Sequence, residues 1–182
     1  MDDIVKAALK KWPNVPHCHG WLALDARGDW YMRDERIQRT GPFPKVKGCR
    51  ITHAKLMAFI QRNYMADEQG RWFFQNGPQR VYVQLEVAPW VWRIRWPDDA
   101  KAPLVQSHTD EPAQVRSSWL DEDGRLYLDT DLGFGIVHSQ DMFDAALAVD
   151  QDLWQPQSLL AANAPAQFGY QLEPLAALPG SH

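Results

Sequence analysis

The chain has 182 residues, 45% of them hydrophobic, with 19 Lys and Arg against 23 Asp and Glu and a formal net charge of −4. A chain of this length makes one domain of ordinary size or two small ones sharing a core. Mild acidity argues against duplex nucleic acid as a partner, since such binding draws its affinity from many Lys and Arg contacts to phosphate, and no apolar run approaches the length that crosses a bilayer, so no membrane partner is expected either.

The first residues, MDDIVKAALKKWP, combine an acidic start with interleaved lysines and do not fit the basic and apolar regions of a signal peptide. This places the protein in the cytoplasm or an equivalent reducing space, which two cysteines, Cys18 and Cys49, also suit. Ile4, Val5, Ala8, Leu9 and Trp12 fall on one stripe of a short helix that Pro13 ends. Beyond it one pattern recurs three times: DARGDWYM from Asp25, DEQGRWFF from Asp67 and DEDGRLYL from Asp121. Asp favours the first position of a type I turn and Gly supplies the left-handed residue that closes a bulged hairpin. Three hairpin turns are predicted, each launching an aromatic strand.

A second repetition is I-x-H-x-x-x-M, in ITHAKLM from Ile51 and IVHSQDM from Ile136. Thr52 is the expected cap of the first helix, with Leu56, Phe59, Ile60 and Tyr64 on its apolar face; Ser139 is the expected cap of the second, with Met142, Phe143, Ala146 and Leu147 behind it. Both copies run hairpin, strand, histidine, helix, which reads as a duplication or as chance similarity. Between them lies RVYVQLEVAPWVWRIRW, where Val81, Val83, Leu85 and Val87 alternate as a half-buried strand requires, and where after Pro89 the phase changes to Trp90, Trp92, Ile94 and Trp96. Pro89 cannot donate to a ladder and marks the expected hinge. The expected division is a helix over 1–13, a first repeat unit over 14–88, a second over 89–154 and an Ala- and Pro-rich surface tail over 155–182. The fold class is α+β with mainly antiparallel sheet.

FFQNGPQRVYVQLEVAPW together with WLALDARGDWYM is similar to an uncharacterised group of proteobacterial proteins of unknown function. The layout also resembles a related bacterial family of unknown function with internally duplicated α+β motifs, in which a D-G-x-W hairpin precedes a helix and a strand ends in V-E-D-A-P-F. Leu85, Glu86, Ala88, Pro89 and Trp90 match the end of that pattern, while Val87 stands where the family has Asp. The resemblance spans roughly Gly20 to Val149. It implies two repeats, the later one loosely similar to pleckstrin-homology-like folds. It also implies a ligand or partner site near the interface of the repeats and a role in signal transduction.

Several groups of residues are candidates for chemistry. In WVWRIRW, Arg93 and Arg95 share the face opposite the tryptophans; they hold a carboxylate or phosphate, or they are the solvated face of a strand. The loop QNGPQR, Gln75 to Arg80, adds amide and guanidinium donors to a Gly-Pro turn. Asp121, Glu122, Asp123, Asp129 and Asp131 are too compact for a calcium loop and read as a hairpin with solvated charge. GFG, Gly133 to Gly135, is expected as a strand kink or turn. G-x-x-x-x-G-K-S/T, G-x-S-x-G and H-E-x-x-H do not occur in the sequence.

The leading expectation is a non-enzymatic binding or signalling module for a small anionic or polar ligand or a protein partner. Its site lies where the repeats meet, at Gln79, Arg80, Glu86, Trp92, Arg93 and Arg95, with Trp92 supplying apolar contact if exposed. No catalytic residue and no cofactor is expected on this reading. The alternative is a zinc-binding protein, structural or hydrolytic, using Cys18, His19, Cys49 and His53 as a thiolate and imidazole set. A third reading is a structural subunit that assembles through its tail or its tryptophans. The paired histidines mark equivalent strand-to-helix junctions rather than a catalytic pair, with His53 alone a candidate for chemistry.

Overall fold

Wherever an Asp-x-x-Gly stretch occurs, the chain reverses, and these reversals build two sheets. In the computed structural model, which describes residues 1–175, the elements run α1 (Asp3–Lys11), β1 (Cys18–Leu24), β2 (Trp30–Met32), α2 (Glu35–Thr40), β3 (Cys49–Arg50), α3 (Ala54–Arg62), β4 (Tyr64–Ala66), β5 (Trp72–Asn76) and β6 (Gln79–Leu85). They continue with β7 (Trp90–Arg95), β8 (Leu104–Ser107), β9 (Pro112–Ala113), β10 (Val115–Leu120), β11 (Leu126–Thr130) and β12 (Gly133–Val137). A 3-10 turn (Ser139–Asp141) then leads into α4 (Met142–Asp150), followed by β13 (Gln157–Ser158) and α5 (Ala164–Phe168). Two compact units result. One comprises Met1–Asp25, Asp29–Glu86 and, of the described residues, 170–175; the other comprises Ala26–Gly28 and Val87–Gly169.

The first unit holds the sheet β3-β2-β1-β6-β5-β4 and the second the sheet β13-β10-β11-β12-β7-β8-β9. Both are mainly antiparallel, so the fold is α+β. The duplication is visible in the order. In the first unit β1, β2 and β3 form an antiparallel meander, α3 follows, and β6 runs parallel to β1. In the second, β10, β11 and β12 form the same meander, α4 follows, and β13 runs parallel to β10. The sheets then grow from opposite ends, by β5 and β4 beyond β6 and by β7, β8 and β9 beyond β12. The phase change at Pro89 has a plain cause: β6 and β7 belong to different sheets, and the buried set of β7 is Trp90, Val91, Trp92 and Ile94.

The three turns share one chemistry. The backbone N–H groups of Asp25, Asp67 and Asp121 donate to the carbonyls of Asp29, Arg71 and Arg125, four residues on. Each Asp carboxylate then accepts from the backbone of its own turn: Asp29 N–H for Asp25, Gln69 and Arg71 N–H for Asp67, Asp123 and Arg125 N–H for Asp121. The second carboxylate oxygen takes a tyrosine hydroxyl. Tyr31 donates to Asp25 at 3.1 Å and Tyr127 to Asp121 at 2.8 Å, each six residues past its aspartate. At the middle turn that position is Phe73, which has no hydroxyl, and its cross-strand partner Tyr82 donates to Asp67 instead, at 3.2 Å. Asp121 is therefore buried and saturated with donors, a correction to its expected place among solvated charges. A buried carboxylate persists only when its lone pairs are met in this way.

The helix starts also differ from expectation by one residue. His53 rather than Thr52 is the N-cap of α3, its Nδ1 accepting from Leu56 N–H at 3.2 Å. His138 rather than Ser139 caps the 3-10 turn before α4, its Nδ1 accepting from Gln140 N–H at 3.1 Å. An imidazole with an unprotonated Nδ1 meets an orphan helix donor as a hydroxyl would. The repeated histidines occupy equivalent positions and have the same structural role. In α1, Val5 is buried while Ile4 and Trp12 are exposed, so the buried stripe is narrower than the sequence pattern indicates.

Of the Ala- and Pro-rich segment, residues 155–175 form β13, a 3-10 turn, α5 and an irregular strap; the expectation of a surface tail over 176–182 falls outside the described residues. Among the described residues, no helix is long and apolar enough to cross a membrane.

Candidate functional site

The expected site residues occupy several places. Gln79 opens β6 and donates from its amide to Pro16 O at 2.9 Å, while Arg80 lays its guanidinium over the Phe73 ring at 4.5 Å. Glu86 follows the other end of the same strand, roughly 20 Å away at about 3.3 Å per residue. There it meets Lys47 Nζ at 3.1 Å, and Lys47 also reaches the buried Asp25 at 2.9 Å. Trp92 is fully buried, its indole N–H donating to Leu128 O and its ring stacked on Trp90. It is core, which corrects the condition under which it would contact a ligand.

Arg93 is engaged by Asp141, through Nε at 2.5 Å and Nη2 at 3.0 Å, and Ile94 N–H donates to the same carboxylate. This pair joins β7 to the start of α4. Arg95 is exposed on the same face of β7. Burial acts to raise the Asp141 pKa, but the bonds from Arg93 and Ile94 outweigh it and hold the group below the usual aspartate value of 3.8. A carboxylate depressed in the folded state stabilises fully above its unfolded pKa and loses that contribution as pH falls through the folded value. Asp141→Asn is thus expected to lower stability at pH 7 and to flatten the fall in stability from pH 5 to pH 2. Urea midpoints across that range check it; parallel profiles for the two proteins would contradict it.

The zinc set is not assembled. Cys18 and His19 are adjacent on β1 and line different pockets, one on each side. Cys49 is exposed on the edge strand β3, separated from β1 by β2, and His53 is committed as a helix cap. His19 stacks on Tyr82 with ring centroids 4.6 Å apart and pairs through Nδ1 with Pro174 O at 3.1 Å. Among the described residues, no group of three His, Cys, Asp or Glu side chains could hold a metal ion. Alternation along an extended strand separates the two neighbours that proximity in sequence suggested as partners.

Two pockets of the first unit flank β1. One, of about 420 Å³, is an apolar groove between α3 and the sheet, lined by Trp21, Met32, Leu56 and Phe59 with Cys18 at its side. Burial pushes the Cys18 thiol pKa up, away from a reactive thiolate. The other, of about 410 Å³, has a mixed polar and apolar lining that includes Arg33.

Arg33 follows β2 and is only 2% exposed. Its backbone N–H donates to Trp21 O, its carbonyl accepts from the Gln38 amide at 2.8 Å, and its Nη2 donates to Gly41 O at 2.8 Å. Gly48, at φ 102°, brings the chain so close that a Cβ there would stand 2.5 Å from Met32 O and 3.0 Å from Arg33 Cγ. The guanidinium is thus enclosed by backbone that only glycine permits. Yet Nε and Nη1 are buried without any hydrogen-bond partner among the described residues. Those two nitrogens carry three of the five guanidinium N–H donors. Burial pushes the Arg33 pKa below its ordinary value, with the Glu173 carboxylate acting against it.

The opposite wall comes from far along the chain. Leu85 N–H donates to Leu172 O at 2.8 Å and Gln171 N–H to Gly70 O at 3.0 Å, which ties residues 170–175 across the first unit. This places Glu173, Pro174 and Leu175 at the pocket. The Gln84 amide donates to Glu173 Oε1 at 3.2 Å, leaving Gln84 Oε1 buried and without a donor among the described residues. Sequence reasoning missed this site: nothing in the pattern W-Y-M-R marks the arginine as buried.

A family model with the description "Protein of unknown function (DUF2946)" matches residues 1–177. No curated protein matches the chain. Two solved structures show a likeness. A DUF1285 family protein from Shewanella baltica OS155 aligns at TM-score 0.46 and 16% identity, covering 72% of this chain and 91% of its own. A DUF1285 family protein from Silicibacter pomeroyi DSS-3 aligns at TM-score 0.49 and 11% identity, covering 80% and 83%.

Proposed function

We propose, from the premise that this chain belongs to the family described as "Protein of unknown function (DUF2946)", that it is a non-enzymatic ligand-binding module whose first unit takes a small anionic group at Arg33. One observation carries the reading. A guanidinium 2% exposed, with Nε and Nη1 unpartnered among the described residues, lines a pocket of about 410 Å³. Nη2 is met by Gly41 O and the guanidinium lies over the Phe43 ring at 5.8 Å; the two unmet nitrogens still carry a desolvation cost, which a ligand oxyanion would offset through charge-assisted hydrogen bonds. The volume lies at the small end of the roughly 300–1,000 Å³ common to small-molecule sites. The expected preference for an anionic or polar ligand is kept; its address moves from the β7 arginines to Arg33. We place the module in the cytoplasm or another reducing space, in keeping with Cys18 and Cys49 as free thiols.

The test is thermal unfolding of the full chain in acetate, succinate and phosphate at constant ionic strength. Binding to the folded state stabilises it by about 2.7 kcal/mol at a hundredfold excess over Kd. At least one of these anions is expected to raise the transition temperature of the wild type and of Arg95→Met, and to leave that of Arg33→Met unmoved. Equal shifts in all three proteins, or none in the wild type, would overturn the reading.

A further inference from the structure

Building on the Arg33 reading, we infer that the ligand is a zwitterion of amino-acid type, its carboxylate held at Arg33 and its ammonium at Gln84 Oε1 and Glu173. The pocket carries two unmet needs of opposite kind. Arg33 Nε and Nη1 lack acceptors and Gln84 Oε1 lacks a donor among the described residues, and both residues line the same pocket. The Gln84 amide is oriented by its bond to Glu173 Oε1 at 3.2 Å, so its nitrogen is occupied and its oxygen is the group left open. A plain anion would satisfy only the arginine.

Charge balance points the same way. Glu173 stands close enough to Arg33 to act on it electrostatically and lines the same pocket. A second negative charge brought between them meets attraction from one and repulsion from the other, at the low effective dielectric of a partly enclosed site. A dianion is therefore disfavoured, while a dipolar ligand with no net charge matches both ends. Pro42, Pro174 and Leu175 supply apolar wall, which suits a side chain of modest size. Gly20 and Gly41 also line the pocket; a Cβ on Gly20 would stand 2.8 Å from Gln38 Oε1, so the floor there is bare backbone.

The experiment is a thermal-shift and calorimetric panel on the full chain, using each of the twenty common amino acids, with propionate and 4-methylpentanoate as the deaminated counterparts of alanine and leucine, and 3-methylbutylamine as the decarboxylated one. At least one amino acid is expected to bind tenfold or more tightly than the simple carboxylates, and the amine alone not at all. Glu173→Gln is expected to bring that ratio toward one, and Arg33→Met to remove binding of acids and amino acids alike. If the carboxylates bind as tightly as every amino acid and still require Arg33, the zwitterion inference falls and the anion reading stands. If no compound in the panel binds in an Arg33-dependent way the zwitterion inference falls, and the anion reading falls with it if acetate, succinate and phosphate also leave the wild type unmoved.

Discussion

Trp92→Ala is expected to cost about 3–5 kcal/mol, the range for emptying a buried aromatic site, and to unfold the second unit well before the first. Trp92 is fully buried at the centre of β7, pairs in register with Val137 and Ser107 on either side, and stacks on Trp90 at 5.9 Å. Its neighbours cannot close over the gap. Gly135 on β12 already lies so near that a Cβ there would be 2.5 Å from Trp92 Nε1 and 2.6 Å from Trp90 O. The indole also supplies the hydrogen bond that Leu128 O receives at 3.1 Å, and a buried acceptor left unmet costs about 1–3 kcal/mol. Trp92→Phe, which retains an aromatic ring but not the N–H, should fall between the wild type and alanine. Urea unfolding followed by tryptophan fluorescence checks the order. A loss under 1 kcal/mol for the alanine variant would show that β7 is not the centre of the second core.

Arg33→Met is expected to act in the opposite direction, raising stability while abolishing anion binding. Met approximates the length and volume of the arginine stem and removes the charge. What is lost is one hydrogen bond to Gly41 O, worth about 1 kcal/mol, together with the contact of the guanidinium with the Phe43 ring at 5.8 Å and its attraction to Glu173. What is gained is relief from a buried guanidinium whose Nε and Nη1 have no partner among the described residues. Replacing buried charged groups by apolar ones of similar volume is often stabilising by about 1–4 kcal/mol. The net expectation is a gain of up to about 3 kcal/mol, at about 2–4 °C in transition temperature per kcal/mol for a chain of this size. Stability stored against function is the signature of a binding site. A destabilisation of 1 kcal/mol or more would mean that Arg33 is a structural strut, and would remove the main support for the binding module.

Local features were legible in the residue order. Each Asp-x-x-Gly turn is closed by backbone-to-carboxylate bonds spanning two to four residues, so the composition of the turn is nearly the whole of its cause. The repetition was readable as a duplication or as chance similarity, since hairpin, strand, histidine and helix are consecutive in the second copy, whereas α2 and the 34–48 connection interrupt the first. The caps were misplaced by one position because Thr52 and Ser139 are the residue types that usually cap, whereas histidine fills that place in both repeats by presenting Nδ1. The phase change at Pro89 was readable as a hinge between two units, and the strands on either side of it belong to different sheets.

The candidate site was a different matter. Gln79, Arg80 and Glu86 are close in sequence, and an extended strand carries them to opposite ends; Cys18 and His19 are adjacent, and alternation sends them to opposite sides. Arg33 has no apolar periodicity around it that would announce burial. It is enclosed by the 34–48 connection, by Gly48 passing over its stem, and by a strap near residue 173 that returns across β6. What the sequence by itself determined was the turns and the class of fold, because short-range hydrogen bonds and strand alternation depend on neighbours. What only the tertiary structure decided was which charge is buried and left unpaired, because desolvation depends on segments that meet after more than a hundred residues of intervening chain.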